Sequence, residues 1–186
     1  EPKQKIMGIE TARSSTPEIV RKKLKECIFI ILNKTEDDLV TFVSDFREEF
    51  FKAEPAKIAF PRSVNKLKEY GDKDQIYKKG TPIQVKGALL YNHYLKKLNL
   101  TKKYSKISDG EKIKFIYLKK PNPMGGFKGD DCVIAFPNKL PKEFGLDGYI
   151  DYNTQFEKTF LDPLMIILDV IGWKHEETNT LESLFI

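Results

Sequence analysis

The chain has 186 residues, of which 40% are hydrophobic and 32% are charged, and its formal net charge is +5. This length and composition are those of one globular domain with a substantial core. No apolar run reaches the roughly 18 to 20 residues that a membrane helix needs, and residues 1–5 lack the apolar segment of a signal peptide, so we expect a soluble, intracellular protein.

The cysteines and histidines do not indicate metal or nucleophile chemistry. Cys27 and Cys132 lie in apolar surroundings without CxxC spacing, which favours buried free thiols over a disulfide or a zinc site. His93 and His175 are isolated from each other and from any cysteine pair, so neither is expected to bind metal or to join a triad. We therefore predict no catalytic residue and no metal ligand in this chain.

The first third of the chain predicts a helix after a short extended entry. Residues 4–9 alternate weakly, as a short strand does. The helix start is marked either by Thr16 as N-cap with Pro17 at the first helical position, or by a Ser15–Glu18 capping box. The helix should cover about residues 17–33. Its predicted apolar stripe consists of Ile19, Leu24, Cys27, Ile28, Ile31 and Leu32.

A second helix is predicted to follow after a very short turn and to pack antiparallel to the first. Thr35 precedes three acidic residues, 36–38, which complement the positive end of a helix dipole. Pro55 marks the end of this segment. Its apolar residues recur with helical spacing at Leu39, Val43, Phe46 and Phe50.

The middle of the chain gives one clear helix and one unassigned region. Residues 57–80 are punctuated by Pro61, Gly71 and Gly80, and no element is predicted there. A third helix is predicted from Thr81-Pro82 onward. One side of it carries Val85, Leu89, Leu90, Tyr94, Leu95 and Leu98.

Two β-rich runs and a final helical segment complete the predicted α+β fold, in which helices are in the majority. Residues 112–118 and 132–136 have strand length and should pair as a hairpin-like unit. The connecting glycine-rich loop lacks GxxxxGK[ST] spacing, so it is not a nucleotide site. A long amphipathic helix interrupted at Pro163 is expected over residues 149–173. Its residues available for burial are Tyr149, Phe156, Phe160, Leu164, Ile167, Leu168 and Ile171.

Positive charge is concentrated in residues 86–128, the basic stretch. It contains eleven lysines and only two acidic residues, Asp109 and Glu111. Clustered positive charge can follow a phosphate backbone, because neutralised phosphates release condensed counterions. Lysine suits non-specific backbone contact better than bidentate base recognition. The alternative is a solvated lysine-rich surface that binds nothing.

Three separate segments resemble family B DNA polymerases, most closely those of T-even phages. The pattern GIExxRxSxP at residues 8–17 is similar to the passage from palm to thumb. The sequence KGALLYN at residues 86–92 is similar to a basic-Gly-x-Leu-x-Tyr-Asn pattern of the thumb. The sequence DYNTQFEKTFLDPL at residues 151–164 resembles a late thumb helix.

The resemblance implies a non-catalytic fragment. Family B palms carry metal-binding aspartates in DxxSLYPS and YGDTDS motifs and hold the nucleotide with a KxxxNSxYG helix, and none of these occurs in this chain. The implied division is the end of the palm at residues 1–8, a mainly helical thumb with a small β unit at residues 9–173, and a tail at residues 174–186. The parent polymerase, a nucleotidyltransferase, would work in the cytoplasm of a phage-infected bacterium, with its Mg²⁺ in the absent palm.

The resemblance and the charge distribution together nominate DNA contacts. A thumb would grip the primer-template duplex non-specifically and so maintain processivity, and its further partner would be the palm and exonuclease portion. The matching positions nominate Arg13, Lys86 and Asn92. Charge alone nominates Lys112, Lys114, Lys119 and Lys120.

The last residues suggest a partner-binding peptide, because apolar side chains end a polar tail. A free terminus gains little from exposing such residues, so they should dock on their own domain or enter a partner's pocket. Phage family B polymerases end in a hydrophobic and aromatic peptide that binds the sliding clamp, which Ser183-Leu184-Phe185 resembles. The candidate partner-binding residues are Leu181, Leu184, Phe185 and Ile186.

Two other functions remain open at this point. The chain could be a separately encoded subunit of a split polymerase, in which case an upstream gene would encode palm and exonuclease. It could instead be an unrelated intracellular interaction module whose basic stretch binds an acidic protein.

Overall fold

A computed structural model gives the structure of residues 14–124 and 132–177. Helices predominate beside a three-stranded antiparallel sheet and a two-stranded one, which confirms the predicted α+β class. Within these residues no helix is long and apolar enough to cross a membrane. The α-helices are α1 Glu18–Asn33, α2 Glu36–Phe51, α3 Pro55–Ile58, α4 Leu67–Tyr70, α5 Ile83–Lys97, α6 Tyr152–Phe156 and α7 Asp162–Ile171. The strands are β1 Phe60–Ser63, β2 Gly71–Asp72, β3 Ile76–Tyr77, β4 Lys112–Tyr117 and β5 Val133–Phe136.

The start of α1 differs from the predicted cap. Pro17 occupies the N-cap position, and no side chain caps the helix, so both predicted caps, Thr16 and the Ser15–Glu18 box, are wrong. A proline has no N–H that an interior position would need, and at the N-cap its carbonyl accepts the first helical bond, from the Arg21 N–H at 3.0 Å. By contrast, α2 begins with a complete capping box between Thr35 and Asp38.

The buried side of α1 is also displaced from the predicted one. Val20, Leu24, Cys27 and Ile30 are buried, whereas Leu32 is 67% exposed. The predicted side of α2 is correct, since all four of its apolar positions are buried. Phe46 and Phe50 of α2 meet two phenylalanines of the C-terminal helical segment with ring centroids 4.8 to 5.7 Å apart. These rings form the aromatic cluster, Phe46, Phe50, Phe156 and Phe160.

The three-stranded sheet has the order β1-β4-β5. The predicted pairing of the two β-rich runs is confirmed, with Tyr117 of β4 opposite Val133 of β5. The previously unassigned region supplies β1, which pairs antiparallel on the other side of β4 with Phe60 opposite Phe115. The two rings are stacked, with centroids 5.0 Å apart.

Helix α5 covers β5 at unusually short range. A Cβ built on Gly87 would lie 2.9 Å from the backbone nitrogen of Ala135, closer than side chains normally approach. Glycine at this position therefore allows the helix and strand backbones to come together. Leu98, which was predicted on the buried side, follows the helix and is 43% exposed, because α5 ends at Lys97.

The predicted interruption near Pro163 is a π-helical segment, Glu157–Leu161, between α6 and α7. Pro163 is then the second residue of α7, directly after the segment in which the Asp162 N–H bonds to the carbonyl of Glu157, five residues back. Four of the predicted residues are buried: Phe156, Phe160, Leu164 and Leu168. Ile167 is half-buried, whereas Tyr149 and Ile171 are exposed, so the predicted stripe is too long at both ends.

The DY motif of this segment has a structural role. The Asp151 carboxylate caps α6 by accepting from the Thr154 N–H at 3.0 Å, and the Tyr152 hydroxyl donates to the Ala53 carbonyl at 2.9 Å. One turn later, the fully buried Gln155 side chain accepts from the Tyr117 N–H and donates to the Ile58 carbonyl. The segment is thereby joined to β4 and to residues 53–58, which follow α2.

Candidate nucleic-acid interface

The nominated residues of α5 have different environments. Lys86 is half-buried, and its ammonium nitrogen lies 5.7 Å from the centroid of the Tyr77 ring, within the range of a cation–π interaction. Asn92 is also half-buried, and both ends of its amide are used within the chain. Nδ2 donates to the Ile107 carbonyl at 2.9 Å, and Oδ1 accepts from the Ile107 N–H at 2.8 Å.

Tyr91 extends this attachment by one residue. Its buried ring carries a hydroxyl that donates to the Ser105 carbonyl at 3.2 Å. Burial raises the pKa of Tyr91 to about 12, so the hydroxyl keeps its proton at neutral pH. The Tyr-Asn pair of the KGALLYN motif thus holds residues 98–111, the α5–β4 segment.

The two nominated lysines of β4 are not equivalent. Lys112 is exposed at the first position of the strand, opposite Ser63. Lys114 is half-buried, and its ammonium group donates to the Ala56 carbonyl at 2.8 Å. Only Lys112 of this pair presents its whole charge to solvent.

Lys119 and Lys120 follow β4 and are both exposed. The Lys119 N–H donates to the Tyr149 carbonyl at 2.7 Å, and its own carbonyl accepts from the side chain of Asn122 at 2.9 Å. These backbone bonds fix the turn that carries the two lysines while leaving both side chains at the surface. The other nominated residues, Arg13, Leu181, Leu184, Phe185 and Ile186, lie outside the described residues, as does Lys128.

Two exposed lysines of the α5–β4 segment, Lys102 and Lys106, were not among the residues nominated from the sequence. Lys102 and Lys106 make no hydrogen bond or ion pair with the described part of the chain. Lys103, between them, pairs with Glu143, whose other oxygen accepts from the Tyr104 hydroxyl at 2.8 Å. The signal that could have identified them is the local charge itself, since no acid lies between residues 86 and 108.

The electrostatics of this region reflect its lysines. The Lys103 ammonium, together with the Tyr104 hydroxyl, lowers the pKa of Glu143 from 4.5 to about 2. Partial burial, with Lys97 and Lys96 nearby, lowers the pKa of His93 below 6.5. Burial, and to a smaller degree the two ammonium groups, disfavour the charged imidazolium.

A second basic surface adjoins the start of α1. Arg21, Lys57 and Lys114 line a groove of about 630 Å³ that also contains Glu18 and Glu54. The balance of charge is positive but mixed, unlike that of the α5–β4 segment. Among the described residues, no group of three or more potential ligands is arranged to hold a metal ion.

The chain is similar over its whole length to phage polymerases. It is 34% identical over 189 residues to the DNA-directed DNA polymerase of Enterobacteria phage T4, covering 100% of this chain and 20% of that protein. It is 34% identical over 190 residues to the DNA-directed DNA polymerase of Escherichia phage RB69, with the same coverage. No protein-family model matches it. The chain spans about one fifth of the length of these relatives, and its resemblance to T-even phage DNA polymerases is confirmed.

Proposed function

We propose that the chain is the thumb and C-terminal part of a phage-type replicative DNA polymerase and that it holds primer-template duplex through non-specific phosphate contacts. The observation that carries this proposal is the similarity of the entire chain to one fifth of the T4 and RB69 polymerases. The proposed division is residues 1–8 from the palm, residues 9–173 as the thumb and residues 174–186 as the tail. The chain is inactive alone, since the palm motifs are absent from its sequence.

The chemistry of the exposed lysines supports this function. A grip on duplex must advance by one base pair in each catalytic cycle, so it needs many weak contacts that do not depend on sequence. Lys112 and Lys119 present flexible point charges at the surface, which suits such contacts, and Lys120 is exposed beside them but also has a contact of its own. Lys86, Lys114 and Asn92 have contacts within the chain, so their proposed contribution to DNA binding is smaller.

Fluorescence anisotropy of a labelled primer-template duplex over a range of salt concentrations tests the proposal. We expect binding that favours duplex over single-stranded DNA and weakens steeply with salt, because phosphate neutralisation releases counterions. An acidic peptide is the control for charge alone. Equal affinity for that peptide would support the interaction module instead, and absence of duplex binding at low salt would refute an autonomous grip.

The proposed partners are the palm and exonuclease portion and, through the tail, the sliding clamp. Leu181, Leu184, Phe185 and Ile186 would enter an apolar pocket of the clamp. Deletion of residues 181–186 should abolish capture by a phage clamp in a pull-down and leave the melting temperature unchanged. A large fall in the melting temperature would show instead that the tail docks on its own domain.

A further inference from the structure

The α5–β4 segment is attached to the fold at each end. Beyond the Ile107 contacts of Asn92, the Gly110 N–H donates to the Val64 carbonyl at 2.7 Å, and the Val64 N–H donates to the Glu111 carbonyl at 3.1 Å. At its other end, the Leu100 N–H donates to the Leu95 carbonyl at 2.8 Å. The backbone of the segment is therefore held in place at both of its ends.

Asn92 is the side chain that fixes the segment at Ile107. It makes both hydrogen bonds that a backbone pair in a strand would make, to the N–H and the carbonyl of Ile107. The Ile107 side chain is 3% exposed, so this point of the segment is also buried in the core. A half-buried amide with two good partners holds one geometry, because losing either bond leaves a backbone group unsatisfied.

The lysines that precede Ile107 in this segment differ in their availability. Lys103 is engaged by Glu143. Lys102 and Lys106 are exposed and without a partner in the described part of the chain. The nearest acid in sequence, Asp109, is occupied, since its carboxylate accepts from the Leu67 N–H at 2.9 Å. Two cations thus remain uncompensated on a segment of fixed backbone.

We propose that Lys102 and Lys106 form a phosphate-contacting surface and that Asn92, with Tyr91, positions it. This inference rests on the proposed duplex binding and names further residues that carry it. Asn92 is a positioning residue, which acts on DNA through the segment that it holds. Fixing the backbone beforehand reduces the ordering cost of binding, while the lysine stems stay mobile enough to follow a sliding duplex.

The experiment measures duplex affinity against salt concentration by fluorescence anisotropy for this chain and its variants. Lys102→Ala combined with Lys106→Ala should reduce the logarithmic salt slope by about two, one for each lost phosphate contact. The matched control is Lys25→Ala with Lys34→Ala, two exposed lysines at α1 outside the basic stretch. This control should leave the slope nearly unchanged.

Asn92→Ala should lower duplex affinity and the salt slope although every lysine is retained. The control is Asn33→Ala, which also removes an amide bond to a backbone carbonyl, that of Phe29, and should change neither quantity. In the Lys102→Ala, Lys106→Ala background, Asn92→Ala should have little further effect on the slope. That dependence separates positioning from a general loss of structure, which circular dichroism monitors at the same temperature.

Each alternative outcome has a distinct meaning. If the wild-type chain fails to bind duplex, the proposed function fails. If it binds with a steep salt slope that the two lysine substitutions leave unaltered, only the assignment of Lys102 and Lys106 as the phosphate-contacting surface is refuted. A folded Asn92→Ala chain with the wild-type slope refutes the positioning role. Should Asn92→Ala not fold, Tyr91→Phe removes only the hydroxyl bond to Ser105, and an unchanged affinity in that variant refutes positioning by the Tyr91–Asn92 pair.

Discussion

The aromatic cluster and the α5–β4 segment are held in place by different forces. In the cluster, four buried phenylalanine rings from α2 and the C-terminal helical segment pack edge-to-face and tilted, and their stabilisation scales with the area removed from water. In the α5–β4 segment, directional hydrogen bonds from Tyr91 and Asn92 fix backbone positions. The first region stabilises the domain, and the second fixes the backbone of a surface segment that carries exposed lysines.

Removing a ring from the aromatic cluster should give the largest loss of stability. Phe46→Ala takes a side chain that is 1% exposed from the centre of the cluster and should lower the free energy of unfolding by about 3–5 kcal/mol. Phe29→Ala is the control, because Phe29 is 57% exposed, and its effect should stay within about 0.5 kcal/mol. Urea denaturation measures both. Equal losses would show that the cluster does not dominate stability.

Gly87→Ala should test the close approach of α5 to β5. The added methyl would lie 2.9 Å from a backbone nitrogen, which cannot move as a side chain would. We expect destabilisation by about 1–3 kcal/mol from overpacking, although alanine is the better helix former. Gly148→Ala, where nothing lies within 4 Å of the new methyl and φ is not positive, should be near neutral. A stabilised Gly87→Ala variant would contradict the described packing.

Loss of the α2 cap should destabilise the chain less, and the effect should be confined to the hairpin that α1 and α2 form. Thr35→Ala removes the hydroxyl that accepts from the Asp38 N–H at 3.2 Å and should cost about 1 kcal/mol. Thr41→Ala on the exposed side of the same helix is the control. Thermal unfolding measures the difference, and duplex binding at low temperature should be unaffected. A change in the salt slope of duplex binding would contradict this expectation, because it would show that the hairpin influences the basic stretch.

The pair of Glu143 and Lys103 should give the smallest effect, visible through its pH dependence. The pKa of Glu143 is about 2 in the folded chain and ordinarily 4.5. A lowered pKa means that the contribution to stability is complete above the ordinary value and is lost as pH falls from 4.5 to about 2. The stability difference between wild type and Glu143→Gln should therefore be constant near neutral pH and vanish in acid. A difference that persisted at pH 2 would contradict the assigned pair.

The sequence predicted the elements better than their contacts. The stripe of α2 is correct because polar residues fill most of the positions between its four buried residues, and those four recur with helical spacing. In α1, residues 28–32 are all apolar, so periodicity alone does not choose between Ile30, which is buried, and Leu32, which is exposed. The concentration of lysines in the basic stretch could be read directly from the sequence. Asn92 was nominated for DNA, but its bonds to Ile107, fifteen residues away, depend on the tertiary path and leave no local pattern.

The π-helical segment at Glu157–Leu161 sets the rotational phase of the last helix. The buried residues Phe156, Phe160, Leu164 and Leu168 recur every fourth position. In a regular α-helix each such step overshoots a full turn by about 40°, so the fourth residue would have rotated far from the first. The wider π turn takes up most of this excess and keeps all four on one line. Deleting a single residue there would remove the π turn, yet it would leave Leu164 and Leu168 seven and eleven positions after Phe156, the spacing of one face of a regular α-helix.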